Sequence, residues 1–229
     1  MKKQNTLGKF LLFAAAGVTL GLSSCSDDDI STGESVNVKI VNAAESSSAQ
    51  DVFIEDVKVN SSALGYLDYT GYITTTNSGN DRKIESRTSG SADIFATEKE
   101  DLKSNRNYTF FLTGTGSSAD IEVTEDDLTA PASGKVKVRF VHVSSKSDVP
   151  EKVDIYSGNN KIAAGIERGD VSRFQQIDAG LKAIGVLTAG STDLNAIKSL
   201  SIQNLDAGKI YTILIYGSTE VNARVISHN

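Results

Sequence analysis

Apolar residues recur at every second position through much of this chain. Val136, Val138 and Phe140 alternate with Lys137 and Arg139, and Val36, Val38 and Ile40 alternate with Asn37 and Lys39. A period of two puts the two sets on opposite faces of a strand, so these segments are expected to bury one face and wet the other. After the first strand, further short runs rich in Val, Ile, Tyr and Thr lie at roughly 51–55, 57–60, 70–76, 82–87, 91–96, 107–113 and 119–124, broken by Gly, Asn, Asp and Ser. Long helical patterns are absent, and the chain reads as all-β.

The pattern repeats. Val36–Asn42 returns as Val136–His142, Asp51-Val52-Phe53 as Asp154-Ile155-Tyr156, Gly90-Ser91 as Gly190-Ser191, and Tyr108–Leu112 as Tyr211–Ile215, with offsets of 100 to 103. An offset that steady marks a duplication of whole domains. The polar stretch Glu125–Gly134, with Pro131, is the seam. About seven short strands in about 95 residues is the size of an immunoglobulin-like sandwich, whose two sheets would bury Phe53, Phe110 and Leu112. The fold expected is two tandem immunoglobulin-like antiparallel β-sandwich domains, at 36–128 and 135–229, joined by a linker at 129–134.

One apolar stretch does not alternate. Phe10 to Leu22 is uncharged for 13 residues behind Lys2, Lys3 and Lys9. That is short of the roughly 20 residues needed to span a bilayer, and it fits a secretory signal. It ends in Leu22-Ser23-Ser24-Cys25, which resembles a bacterial lipoprotein signal. The resemblance implies that 1–24 are removed, that Cys25 is acylated, and that a membrane holds the protein through lipid on Cys25. Residues 25–35 then read as a lipidated tether too polar to pack. Asp27-Asp28-Asp29 is similar to a signal that exports lipoproteins to the outer face of the outer membrane, so the expected location is the outer membrane, facing the cell exterior.

Cleavage would leave 205 residues with 20 Lys and Arg against 29 Asp and Glu. An acidic surface repels phosphate backbones and argues against nucleic acid. Cys25 is the only cysteine, so no intrachain disulfide staples the fold.

In the second repeat, Val138–His142, Val153–Tyr156, Ala163-Ala164-Gly165 and Leu205–Thr212 resemble the bacterial domain-of-unknown-function family 4397. The resemblance covers nearly all of 135–229 and, more weakly, 36–128. It implies an exported, surface-anchored protein and brings no established activity with it. The family's proline soon after the histidine is missing here. Ser145 stands near that position, Pro150 comes later, and Asn42 replaces the histidine in the first repeat.

Little in the sequence points to catalysis. His142 ends its strand on the inward face. Because the matching Asn42 could make the same hydrogen bond but could not act as a base, His142 is expected to tie down a loop. His228 is penultimate and expected to fray. No Ser-His-Asp set, zinc site or cofactor motif follows, and the expectation is a protein that is not an enzyme. Glu125-Asp126-Asp127 reads either as a calcium site between the domains or as a solvated turn, with the turn favoured. Tyr66, Tyr69 and Tyr72 are the candidate contacts for a glycan or protein ligand, against the alternative that two of the three are core residues. Tyr108 and Tyr211 are read as structural. The functional expectation is a binding or spacer module, the alternative being a pilus or envelope-assembly subunit.

Overall fold

Val36, Val38 and Ile40 on one strand and Tyr108, Phe110 and Leu112 on another point into the same apolar cluster, as the period of two requires. The computed structural model describes residues 34–229. Cys25, the signal segment and the tether up to residue 33 lie outside the described residues. Glu34 and Ser35 are already held, Ser35 through its carbonyl, which accepts from the Asn105 amide at 2.7 Å.

Sixteen strands follow in two sets of eight. The first set is β1 (Val36–Asn42), β2 (Gln50–Ile54), β3 (Val57–Lys58), β4 (Ile73–Thr75), β5 (Gly79–Thr88), β6 (Ile94–Leu102), β7 (Asn107–Thr113) and β8 (Asp120–Glu125). The second is β9 (Lys135–His142), β10 (Lys152–Ser157), β11 (Asn160–Glu167), β12 (Gln175–Asp178), β13 (Ala183–Thr188), β14 (Lys198–Ser201), β15 (Ile210–Tyr216) and β16 (Asn222–Ser227). Each set forms two four-stranded sheets. In the first module the orders are β4-β1-β7-β8 and β3-β2-β5-β6; in the second they are β12-β9-β15-β16 and β11-β10-β13-β14. One apolar core lies between the sheets of each module, drawing on Val52, Ile84 and Phe110 in the first and on Ile155, Ile184 and Ile213 in the second.

The connectivity is not that of an immunoglobulin domain, which places its first two strands side by side in one antiparallel sheet. Here β1 and β2 belong to opposite sheets, and β1 pairs parallel with β7, as β9 does with β15. The loop Ala43–Ala49 carries the chain across the core instead of turning back as a hairpin. Sequence alternation specifies strands, whereas partner choice depends on which loop crosses the core. β6 also starts later and runs further than its apolar residues suggest, to Leu102, because the ladder with β5 carries charged residues on its wet face.

The two modules form one unit, and the way they meet overturns the expectation of a wet face. Lys39, Lys137 and Arg139 are only 4%, 4% and 1% exposed. The outward faces of β4-β1-β7-β8 and β12-β9-β15-β16 pack on each other. Val41 and Phe111 of the first module meet Val141, Leu214 and Ile226 of the second in a third apolar cluster. Each such side chain contributes about 1.5–3 kcal/mol on burial. Phe53 departs in the other direction. Its ring lies outside the core, with the Arg87 guanidinium 4.3 Å from its centre.

Candidate functional site

Contacts along the seam set the direction of the modules. At one end Lys137 Nζ reaches the Asp127 carboxylate at 2.9 Å. At the other, Glu45 accepts from Ser145 Oγ at 3.1 Å and from Ser218 Oγ at 2.6 Å. β1 and β9 therefore run the same way, side by side. The chain enters at the Lys137 end, and the loops after β1, β7, β9 and β15 gather at the opposite end. The seven residues of β1, at about 3.3 Å each, separate the two ends by roughly 20 Å.

The middle of the seam is sealed. Arg139 Nη1 lies 2.7 Å from Asp126 Oδ1, with side chains 1% and 0% exposed. Asp126 Oδ2 accepts from Thr109 Oγ1 and from the Tyr72 hydroxyl, each at 2.6 Å. Arg139 Nε donates to Thr212 Oγ1 at 2.8 Å. The imidazole of His228 completes the network, with Nδ1 2.7 Å from the Tyr72 oxygen and Nε2 2.8 Å from Thr212 Oγ1. Proton counting orders these bonds. Tyr72 gives its hydrogen to the carboxylate, so His228 Nδ1–H must donate to Tyr72, and Thr212 donates to a bare Nε2. A neutral imidazole satisfies every partner. Burial, reinforced by the Arg139 and Lys39 charges, drives the His228 pKa down to about 2.

Each member has a counterpart in the other module at the repeat offset: Lys39 and Arg139, Tyr72 and Phe174, Thr109 and Thr212, Asp126 and His228. The backbone matches too, since the Asp126 amide donates to Asn107 O at 2.7 Å and the His228 amide to Ile210 O at 2.9 Å. The repeated faces thus pair with themselves about an approximate two-fold. Replacing Tyr72 by phenylalanine leaves His228 Nδ1–H and Asp126 each one partner short, and urea unfolding should show a loss of about 1–3 kcal/mol. A loss below about 0.5 kcal/mol, the scatter of an ordinary surface change, would mean that the network is not sealed.

The distal end is open. A cleft of about 660 Å³ lies there between the modules, with Glu45, Thr113 and Asp120 on one side and Ser145, Glu151 and Arg168 on the other. Glu45 and Ser218 join it to a groove of about 420 Å³ alongside Tyr66 and Tyr216. Gly114 shapes the first wall. Its φ is +63°, and a Cβ there would lie 1.7 Å from the Ser118 carbonyl oxygen, so only glycine closes this turn. Arg168 Nε lies 3.2 Å from Glu151 Oε2, which leaves the lining acidic overall. Such a cleft can accept hydrogen bonds at many points and donate at a few.

The three tyrosines part company. Tyr72 is held in the sealed network. Tyr69 is 41% exposed and flanked by Lys39 Nζ and Arg224 Cζ at 5.6 and 5.5 Å from its ring centre. Tyr66 lines the groove and meets Tyr216 edge to face, with ring centres 6.3 Å apart. Its hydroxyl is shielded and has no hydrogen-bond partner among the described residues. Burial, with Glu45 and Tyr216 nearby, raises the Tyr66 pKa to about 12.

His142 Nε2 donates to the Pro150 carbonyl at 2.9 Å, and Asn42 Nδ2 donates to Leu64 O at 2.9 Å. Each pins the loop it faces, as the pairing of histidine with asparagine implied. Burial lowers the His142 pKa. His228 is not frayed but 7% exposed. The run Glu125-Asp126-Asp127 splits among three cations: Arg106 at 3.6 Å, Arg139 at 2.7 Å and Lys137 at 2.9 Å. Asp126 is therefore buried, not part of a solvated turn. No three metal-ligating side chains converge among the described residues. Tyr108 is structural, its oxygen accepting from the Lys103 amide at 3.0 Å. Sequence reasoning missed Glu45, Asp120, Glu151, Arg168 and Tyr216. They come from five separate segments and share no spacing.

No curated protein matches the chain. Among solved structures, the chain is similar to CBMbc, a family CBM26 domain from Eubacterium rectale Amy13K, crystallised in complex with maltoheptaose. The identity is 10% and the TM-score 0.27, covering 83% of this chain and 96% of that one. It is also similar to a candidate cell adhesion protein from Bacteroides uniformis ATCC 8492, at 10% identity and a TM-score of 0.23, covering 85% and 99%. Likenesses at these scores carry no weight for fold or ligand. The model of the family described as Domain of unknown function (DUF4397) matches residues 36–150. That span takes in the first module and β9, so the repeat expected to resemble the family more weakly holds most of the match. The chain belongs to this family of the Domain of unknown function, DUF4397.

Proposed function

We propose that this is a lipoprotein anchored through lipid on Cys25, facing the cell exterior, whose paired modules act as a rigid, non-enzymatic binding element. The observation that carries the reading is the placement of the open cleft at the end opposite to where the chain enters. Cys25 lies nine residues before Glu34, a reach of at most about 32 Å, so the chain would run from an anchor there to the end of the modules opposite the cleft. Loops gathered at one end of a rigid scaffold are a common place for recognition. The burial and fixed partners of His142 and His228 support a non-enzymatic role, since neither imidazole is free to move a proton for a substrate. The sealed seam supports rigidity.

The test uses a cysteine at Thr115, an exposed residue of the cleft loop. With Cys25 acylated, Thr115→Cys carries the only free thiol. Intact cells treated with a membrane-impermeant maleimide should label it, and Cys25→Ala should move the protein into the soluble fraction. Labelling that appears only after the outer membrane is opened would overturn the outward-facing assignment.

A further inference from the structure

We propose that the distal cleft and its adjoining groove take a neutral, hydroxyl-rich saccharide. The inference rests on reading the distal end as the contact surface, and it names the ligand class.

Four features of the lining lead there. First, the cleft of about 660 Å³, continued by a shallower groove of about 420 Å³, falls within the size range of small-molecule sites. Second, the groups match a polyol. Asp120 and Glu151 can only accept hydrogen bonds, while Arg168 and the Thr113 hydroxyl can donate. Sugar hydroxyls do both. Glu45 is held in place by Ser145 and Ser218 and still has lone pairs to offer. Third, Tyr66 and Tyr216 put aromatic surface at the groove end, suited to the C–H face of a pyranose ring. Fourth, the alternatives fit badly. Glu45, Asp120, Glu151 and Glu220 outnumber Arg168 around the two cavities, which opposes phosphate, sulfate and uronate groups. Among the described residues, Ala43 and Val143 supply the only aliphatic side chains of the cleft, too little for the anchors of a peptide.

The experiment applies full-length, detergent-solubilised protein to immobilised neutral, uronate-bearing and sulfated oligosaccharides, with an oligolysine peptide as a further probe. Neutral oligosaccharides should be retained. Tyr66→Ala and the pair Asp120→Asn with Glu151→Gln should each weaken retention at least tenfold. If Tyr66→Ala fails to fold, the carboxylate pair decides, because both side chains are exposed. Preference for sulfated or uronate ligands, no retention of neutral ones, or retention unaffected by the variants would each overturn the proposal. Oligolysine binding abolished by the carboxylate pair would overturn the saccharide while leaving the distal cleft as a binding surface. The maleimide result on intact cells is independent of all these outcomes.

Discussion

Replacing Arg139 by methionine is expected to destabilise the protein by about 3–5 kcal/mol, because Asp126 is left charged and buried without its principal counter-ion. The guanidinium is 1% exposed and sits 2.7 Å from a carboxylate that water cannot reach. Its faces lie 4.5 Å from the Phe174 ring centre and 5.1 Å from that of Phe111. Methionine keeps much of that apolar contact, so the loss reports on charge more than on packing. Asp126→Asn alone should cost a comparable amount, since it strands Arg139 instead. The double variant should be clearly more stable than the sum of the singles predicts, because both desolvated charges are gone together. Urea unfolding of all four proteins closes the cycle. Single losses below about 1 kcal/mol, the range of exposed pairs, would show that the pair is wet and that the seam opens in solution.

Acid should weaken the fold well before its carboxylates titrate. His228 is neutral when folded, with a pKa driven to about 2, against 6.5 for an unperturbed imidazole. Below pH 6.5 the unfolded chain takes up a proton that the native state refuses, so stability falls as pH falls, by about 1.4 kcal/mol per pH unit. Between pH 6.5 and 5 that amounts to about 2 kcal/mol from His228 alone. His142, whose pKa burial also lowers, adds to the loss until its own folded value is reached. Carboxylates held down by partners, such as Asp127 with a pKa of about 2, act in a separate window, below about pH 4. His228→Gln should lower stability at pH 7 by removing the ring, yet flatten the slope between pH 5 and 6.5 by about one proton. A slope unchanged in that variant would mean that His228 is protonated in the native state.

The strands and the duplication were legible because both are local or arithmetic. Val36, Val38 and Ile40 alternate whatever they pack against, and an offset near 100 survives any arrangement of the copies. The loop-tying role of Asn42 and His142 could also be read, since both side chains can donate to a carbonyl, although the carbonyls differ, Leu64 in one repeat and Pro150 in the other. The cleft was not legible. Glu45, Asp120, Glu151, Arg168 and Tyr216 converge only because two modules lie side by side with the same polarity.

The alternation of Lys137 and Arg139 with valines determined that β9 has one apolar and one charged face, and this holds in the structure. Where that charged face lies was decided by tertiary structure alone. A lysine or arginine on a strand points to water unless a partner arrives with the matching charge, and the partners here, Asp126 and Asp127, come from the end of the other repeat. Connectivity divides in the same way. The sequence specifies which segments become strands, because turn residues and apolar periods act over a few positions, while β6 still runs further than its apolar residues suggest, to Leu102. The parallel pairing of β1 with β7 joins residues about 70 positions apart, where no local preference reaches and only the closing of the core selects a partner.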